Sequence, residues 1–482
     1  MSASLSLQPT TPPAPVDPEE AARWAHTRLR RRLLQGRWDE DLRRRLYDHF
    51  GDVRTEALGP PDMSSNALRT ITAELAVLYD SSPEVFNDDG GAELAALVAR
   101  SGLWAMMPRY QQFTLGLREM LIRPDYTDRA GLSYRVVYPD MVVAWAHPDL
   151  PDLPVGIQEL RLRSYEGKPL WTWDHVDVSD LENPVYRVEE ARGDHGQPMD
   201  LTTHFLGGPM SGEDYPYRRL DGRPVLPYVM HHARRTGDGV LFDAWEGLEV
   251  VDGTLTAAVL WSWWVHCVRD ASWPQRTAAN VTIPGSAIED TDTARRRTVP
   301  TDPASILLFE SLVEGTQPMF YQYQAGCDPK ALYNSIAEYE FRVATLAGVS
   351  PDHLVRNHGT PRSGYALSVS NAGKREAQRR YEPMAQDGDG RLLALSAVIV
   401  NSSTGSRHPE DGWVLRYTRI PESPEELEAR RTHVLELLDR GLMSPIKAYM
   451  SLTGIRSEKE ARRELEKIRQ ERSTLSTLSL TA

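Results

Sequence analysis

The sequence predicts an α+β protein with helical ends and a β-rich middle. Apolar residues recur at steps of three or four through most of 19–120 and again from 329 to 402, which is the spacing of a helix face. Between about 132 and 232 the runs are instead short, β-branched and aromatic, and Pro, Gly and Asp separate them. With 482 residues, 40% of them apolar and 26% charged, we expect a soluble globular protein of several subdomains.

The N-terminal segment, residues 1–18, is rich in Ser, Thr and Pro and has neither a basic nor an apolar signal region, so we expect a flexible tail. The helical pattern that follows carries a basic cluster at 28–32. This cluster is either a nucleic-acid patch or a solvated helix face balanced by the acids at 39–41. The second interpretation is favoured because charge runs commonly serve only to solvate a helix.

Candidate sites for chemistry are few. Asp88 and Asp89 lie in an NDDGG stretch, which is ordinary turn composition without the spacing of a calcium loop. His231 and His232, followed by Arg234 and Arg235, form the most site-like cluster, but a zinc site needs further ligands at short spacing. No P-loop, dinucleotide fingerprint or nucleophile elbow is present. The sequence therefore predicts no catalytic site, no metal and no cofactor.

The stretch from Leu248 to Val268 has an unusual content of tryptophan, at Trp261, Trp263 and Trp264. Its apolar run of about fifteen residues is shorter than the roughly twenty that a membrane span needs. We therefore expect a helix buried on most sides, either in a domain core or between subunits.

The stretch that organises the chain is 328–391, two helical segments joined by a loop. Asp328 and Pro329 suit the start of the first helix, and Gly348 suits its end. The loop contains Pro351, Gly359 and Pro361, and its outward groups are expected to be Arg356, His358 and Arg362. The second helix, from 363, has a basic face, and a break is expected around Pro383 and the DGDG sequence before an apolar helix resumes at 391.

The C-terminal part carries helix-start signals, namely Ser423 with Glu426, Ser444 before Pro445, and Ser457 with Glu460. These predict three helices with a frayed end. The two cysteines, Cys267 and Cys327, show no scaffold spacing, so a reducing compartment is the simpler interpretation.

Several stretches resemble the portal proteins of tailed bacteriophages, the head-to-tail connectors through which DNA enters and leaves the capsid. EYEFRVATLAGVSPDHLV at 338–355, with SGYAL at 363–367 and the charged helix after it, is similar to the stem helix, tunnel loop and following helix of that family. The stretches at 437–471 and 66–85 are similar to its C-terminal and N-terminal regions. The similar parts come in family order over most of the chain.

The resemblance implies a portal-like ring subunit with a helical stem, a mixed α/β wing, a small clip and a helical crown. It places the wing at 19–247, with a helical part to 120 and a β-rich part at 121–247. It places antiparallel stem helices at 248–273 and 329–350, the clip at 274–328, the tunnel loop at 351–362, a long helix at 363–402 and the crown at 403–482.

The resemblance also implies roles for particular residues. Arg356, His358 and Arg362 would contact DNA in the tunnel; the alternative is that they pair with Asp352 or with acids of a neighbouring subunit. The basic triplet Arg295, Arg296 and Arg297 would dock a partner at the clip. The three stem residues Trp261, Trp263 and Trp264 would lie between subunits.

The implied partners are further copies of the chain, usually twelve in this family, and double-stranded DNA held transiently and without sequence preference. The others are the terminase large subunit, a head-tail adaptor and the major capsid protein, with no membrane. The location would be the portal vertex of the virion, and the host cytoplasm during assembly. The net charge of -13 argues against a broad grip on nucleic acid but suits a smooth acidic channel. Two alternatives stay open, an enzyme and a non-catalytic scaffold or adaptor that is not a DNA conduit.

Overall fold

The computed structural model describes residues 12–58, 60–191, 198–208, 210–235, 240–272, 275–279, 281–282, 310–311, 319–323, 328–349, 364–420, 424–455 and 457–479. Within them the chain divides into two compact units. The sheet unit comprises Ala73–Asp243 and Val355–Ala482, and the helical unit comprises Ala14–Thr72 and Ala244–Leu354. The mixture of helices and sheets confirms the predicted α+β class.

The helices of the described residues are α1 Pro18–Gln35, α2 Asp39–Leu58, α3 Ala67–Leu75, α4 Ala92–Arg100, α5 Leu103–Leu117, α6 Thr202–Leu206, α7 Leu248–Ser272, α8 Pro329–Leu346, α9 Gly364–Thr404, α10 Pro424–Asp439, α11 Pro445–Thr453 and α12 Glu458–Ser479.

The strands are β1 Glu84–Asn87, β2 Glu119–Thr127, β3 Gly131–Val137, β4 Val142–His147, β5 Leu150–Tyr165, β6 Lys168–Asp177, β7 Val185–Glu190, β8 Met210–Ser211, β9 Val229–His232, β10 Gln275–Ala279, β11 Val281–Thr282, β12 Glu310–Ser311, β13 Met319–Tyr323 and β14 Trp413–Arg416.

The sheet unit is built on a five-stranded antiparallel sheet in the order β4-β5-β6-β7-β8 and a three-stranded sheet in the order β3-β2-β9. Burial alternates along β6, as expected for a strand with one face on a core. Ile157, Val176 and Val188 come from three neighbouring strands of the larger sheet and are fully buried. β1 pairs with β14, which the helical prediction for 19–120 missed.

The break predicted around Pro383 and the DGDG sequence is wrong. Helix α9 continues through both as one helix of 41 residues. Asp387 accepts a hydrogen bond from Arg391 one turn later (2.6 Å), and Asp389 is held by side chains of other elements, so neither acid turns the backbone locally. Leu392 and Leu393, which follow directly, are fully buried. Tertiary packing therefore overrides the local turn signal.

The helical unit begins with well-capped helices. The Asp17 side chain accepts from the backbone N–H of Glu19 (3.1 Å), Pro18 opens α1, and Gly36 closes it in the left-handed conformation with φ 74°. The predicted cap of α8 is also confirmed, since Asp328 accepts from the N–H of Lys330 (2.9 Å). In the sheet unit, Ser444 and Ser457 cap α11 and α12 as predicted, whereas Ser423 lies outside the described residues.

Candidate assembly site on the helical pair

Helices α7 and α8 pack against each other in antiparallel orientation, as predicted. Gly253 near the start of α7 lies against Val343 near the end of α8, whereas Trp264 near the end of α7 reaches Pro329 at the start of α8. The approach at Gly253 is close, because an added Cβ would lie 2.6 Å from Val343 Cγ2. Among the described residues no helix, α7 included, has the length and apolar run needed to cross a membrane.

α7 is also tied to the first turn of α3 and to the segment before it. Thr254 is fully buried, and its hydroxyl accepts from the backbone N–H of Leu68 (3.0 Å). About two turns further on, the Ser262 hydroxyl accepts from the N–H of Asp62 (2.8 Å). Because these hydroxyls satisfy backbone donors, they fix the position of α7 along the segment from Asp62 to Leu68.

The three tryptophans that were expected to lie between subunits differ in their surroundings. Trp261 donates through Nε1 to Glu340 Oε1 (2.9 Å), and Trp264 donates through Nε1 to the carbonyl of Pro329 (2.9 Å). Both indoles also pack edge-on or tilted against Tyr333 of α8, with ring centroids 5.5 and 6.0 Å apart. Trp263 is 39% exposed and lies 6.3 Å from the ring of Phe50. Two indoles therefore join the helices of one chain, and the third faces outward.

A cavity of about 260 Å³, the Glu340 cavity, lies beside this aromatic cluster. Ser64, Ser65, Asn66, Thr70, Trp261 and Glu340 line it. Glu340 is partly buried, and its Oε1 accepts hydrogen bonds from the Ser65 hydroxyl and from Trp261. Ala67 completes the lining, so the wall is both polar and apolar and carries one carboxylate.

The other predicted site residues lie outside the described residues. These are the tunnel-loop residues Arg356, His358 and Arg362 and the clip residues Arg295, Arg296 and Arg297. Strands β10 and β11 precede the clip triplet in sequence, and strands β12 and β13 follow it. They form two short antiparallel pairs, β10 with β13 and β11 with β12. In sequence, the predicted tunnel loop at 351–362 falls between the end of α8 and the start of α9.

One member of the histidine cluster, His231, belongs to a buried network of the sheet unit. Asp389 of α9 is fully buried, and its carboxylate accepts from the hydroxyls of Tyr79 (2.8 Å) and Tyr417 (2.7 Å). His231 Nε2 donates to the same carboxylate (3.2 Å), and its Nδ1 is 3.0 Å from the Tyr110 hydroxyl. Burial raises the pKa of Tyr79 and of Tyr417, and the Asp389 charge raises both further.

A second buried network joins the two larger sheets. Arg163 and Arg161 donate to the fully buried Asp174 at 2.5 to 3.0 Å, and Arg123 of β2 lies 3.6 Å from it. Burial acts to raise the pKa of Asp174, but the hydrogen bonds and charges of these arginines outweigh it and lower the pKa. Within the part of the chain that the structure describes, no group of three or more metal-ligating side chains is found.

Comparison with known proteins gives structural likenesses only. No family model and no curated protein matches the chain. A chain from the neck of the native gene transfer agent (GTA) particle, computed with C12 symmetry, is similar with a TM-score of 0.39 and 12% identity, over 80% of this chain and 89% of that one.

Two further GTA chains are similar at the same level. A chain from the neck of the empty GTA particle, computed with C6 symmetry, has a TM-score of 0.37 and 13% identity, over 86% of this chain and 93% of that one. A chain from the virion of the native GTA particle has a TM-score of 0.37 and 12% identity, over 80% and 88%. Likenesses at this level assign no function.

Sequence reasoning missed Glu340 and Asp389. A single glutamate in an amphipathic helix gives no signal, because only the folded pair brings Trp261 and Ser65 to it. Asp389 did carry a signal, its place between two glycines, but that sequence is typical of a turn. Gly388 is in fact needed within the helix, since a Cβ there would lie 2.3 Å from the His231 ring.

Proposed function

We propose that this chain is the subunit of a viral portal ring. The ring would sit at one vertex of a capsid, form the channel for DNA packaging and ejection, and dock the terminase and the head-tail adaptor. The observation that carries the proposal is the order of elements, in which the antiparallel helices α7 and α8 flank two small strand pairs and the long helix α9 follows. This order matches the stem, clip, stem and long helix that the sequence resemblance implies.

Self-association is supported by the surface of the helical pair. Trp263 is 39% exposed, Val265 49% and Tyr333 48% in the single chain. Large apolar side chains on a helix pair of this kind are typical of contact surfaces between subunits. The proposal therefore includes a homo-oligomer, assembled in the host cytoplasm and located in the virion.

The proposal includes no catalytic role. A conduit has to let DNA slide, so a few cations per subunit serve it better than a tight site. The net charge of -13 fits a channel that repels the DNA backbone along most of its length. Arg356, His358 and Arg362 would supply the few contacts, and Arg295, Arg296 and Arg297 would serve partner docking.

Negative-stain electron microscopy of the purified chain tests the proposal directly. We expect rings with a central hole, and a light-scattering mass many times that of the 54.3 kDa chain. A strict monomer at micromolar concentration, in several salts and with the scaffold protein of its own capsid added, would favour a monomeric adaptor. Cleavage of DNA by the purified chain with Mg²⁺ would favour an enzyme.

The DNA contacts are tested separately from the ring. Replacing Arg356 and Arg362 by Ala should leave the rings intact and lower DNA packaging or retention. A matched variant with Arg295, Arg296 and Arg297 changed to Glu should instead impair motor or adaptor binding. Normal packaging and retention by the first variant would remove the loop as the DNA-contacting element.

A further inference from the structure

We propose that the Glu340 cavity receives a cationic side chain of α2 from a second copy of this chain. The inference rests on the proposed ring, and it names one specific contact between neighbouring subunits. The cavity and α2 both belong to the helical unit, so the contact joins two places on the same compact body.

The carboxylate in the cavity has only neutral partners. Both hydrogen bonds, from the Ser65 hydroxyl and from Trp261 Nε1, go to Oε1. Among the described residues, Oε2 accepts no hydrogen bond, and no Lys, Arg or His forms an ion pair with Glu340. The two donors fix the orientation of the carboxylate, and the second oxygen remains available to a donor that enters the cavity.

An arginine suits this cavity in shape and chemistry. Its planar guanidinium pairs with a carboxylate through directed hydrogen bonds, which are stronger than neutral ones. The Trp261 ring on the same wall offers an aromatic surface against which a guanidinium can lie. Ser64 and Thr70 add hydroxyl oxygens that can accept from the remaining N–H groups.

Helix α2 offers two such cations. Arg43 and Arg44 are exposed, whereas Leu42 and Leu46 on the other side of the helix are buried. Neither arginine has an ion pair or hydrogen bond within the described part of the chain. Asp39, Glu40 and Asp48 are exposed on the same helix, so the two arginines are not an isolated positive patch. A contact between two different surfaces of identical subunits generates a ring when the rotation between neighbours closes.

Charge variants test the contact. Glu340→Gln keeps an oxygen that accepts from Ser65 and Trp261 but removes the charge, and it should weaken assembly by more than about tenfold in midpoint concentration. Glu340→Arg should weaken it further, as should Arg43→Glu with Arg44→Glu. Combining Glu340→Arg with Arg43→Glu and Arg44→Glu in one chain should restore assembly. Lys447→Glu is the control, an exposed cation of α11 outside the helical pair, and should assemble like the wild type.

The readouts are mass by light scattering across a concentration series, with circular dichroism to verify that each variant is folded. Restoration in the combined variant, with assembly of Lys447→Glu unchanged, supports the proposal. The proposed contact is overturned if a folded Glu340→Gln variant assembles like the wild type, or if a folded combined variant does not regain assembly. Either result leaves the proposed ring itself intact. A wild-type chain that never assembles overturns this inference and the proposed ring together, so the two failures are distinguishable.

Discussion

The carboxylate of Asp389 is fully buried and is held by the hydroxyls of Tyr79 and Tyr417 and by His231, and this arrangement makes single hydroxyl groups important for stability. Removing the Tyr417 hydroxyl leaves one lone pair of a fully buried carboxylate without its donor. Tyr417→Phe should therefore lower the free energy of unfolding by about 1–3 kcal/mol. Urea unfolding of the purified chain measures this change.

Tyr126→Phe is a suitable control for that experiment. Tyr126 is partly exposed, and its hydroxyl makes no hydrogen bond among the described residues, so its loss should change stability by less than about 0.5 kcal/mol. If Tyr417→Phe were no more destabilising than this control, the hydroxyl would not be a significant partner of the carboxylate.

The same tyrosines predict a loss of stability at alkaline pH. The pKa values of Tyr79 and Tyr417 are raised in the folded chain, first by burial and then by Asp389, while unfolded tyrosine ionises near pH 10. The folded state therefore binds the phenolic protons more tightly. The resulting stability is present below about pH 10 and is lost as pH rises above it.

A double variant, Tyr79→Phe with Tyr417→Phe, isolates this effect from that of other buried tyrosines. Its free energy of unfolding should fall less steeply with pH above about pH 10 than that of the wild type. Urea unfolding at a series of pH values between 8 and roughly 11 gives both slopes. Equal slopes would mean that the two phenols do not titrate differently in the folded and unfolded chains.

At the scale of elements, the contact between α7 and α8 depends on the absence of a side chain at Gly253. Alanine is the better helix former by about 1 kcal/mol, but its methyl group would meet Val343 at 2.6 Å. Overpacking of this kind costs about 1–3 kcal/mol, so Gly253→Ala should be destabilising on balance. Combining it with Val343→Ala should recover part of the loss because the second change makes room, and urea unfolding of all three variants checks this.

Gly390→Ala is the contrasting substitution. Gly390 also lies within a helix, but an added Cβ there would come no closer than 3.4 Å to the carbonyl of Trp413. It should therefore be neutral or stabilising by up to about 1 kcal/mol. A similar loss at both glycines would remove steric contact as the reason.

Elements with a strong local pattern were predictable from the sequence, and those decided by distant contacts were not. Helix α8 follows from apolar spacing and from Asp328 and Pro329 at its start. Strand β1 was missed because its partner, β14, is far along the chain. The continuity of α9 was missed because Asp389 is satisfied by Tyr79, His231 and Tyr417, none of which is a neighbour in sequence. The tryptophans of α7 were found from composition, whereas the Glu340 cavity exists only after the helices have paired.

At the scale of the whole molecule, the tryptophans of α7 should separate assembly from folding. Trp263→Ser removes an indole that is 39% exposed, so the subunit should stay folded while the proposed ring weakens or disappears. Light scattering reports the assembly, and circular dichroism reports the fold. Rings as stable as those of the wild type would show that Trp263 does not lie between subunits.

Trp264→Ser should behave in the opposite way. Its indole packs with Trp261 and Tyr333 and donates to Pro329, all within one chain. Because the side chain is partly exposed, the loss should stay below the roughly 3–5 kcal/mol of a fully buried tryptophan. Unfolding at a lower urea concentration is the expected result, and unchanged stability together with lost assembly would reverse the assignment of the two residues.

The helical unit is assembled from segments that are synthesised at different times. Its hydrogen bonds from Leu68 to Thr254 and from Asp62 to Ser262 span 186 and 200 residues. At a synthesis rate of about 5–20 residues per second, α1 to α3 would wait roughly ten to forty seconds for α7 to emerge from the ribosome. During that interval the backbone N–H of Leu68 and that of Asp62 lack their native partners, the hydroxyls of Thr254 and Ser262. The N-terminal helices of the nascent chain are therefore a natural binding target for a chaperone until the second half of the protein has been made.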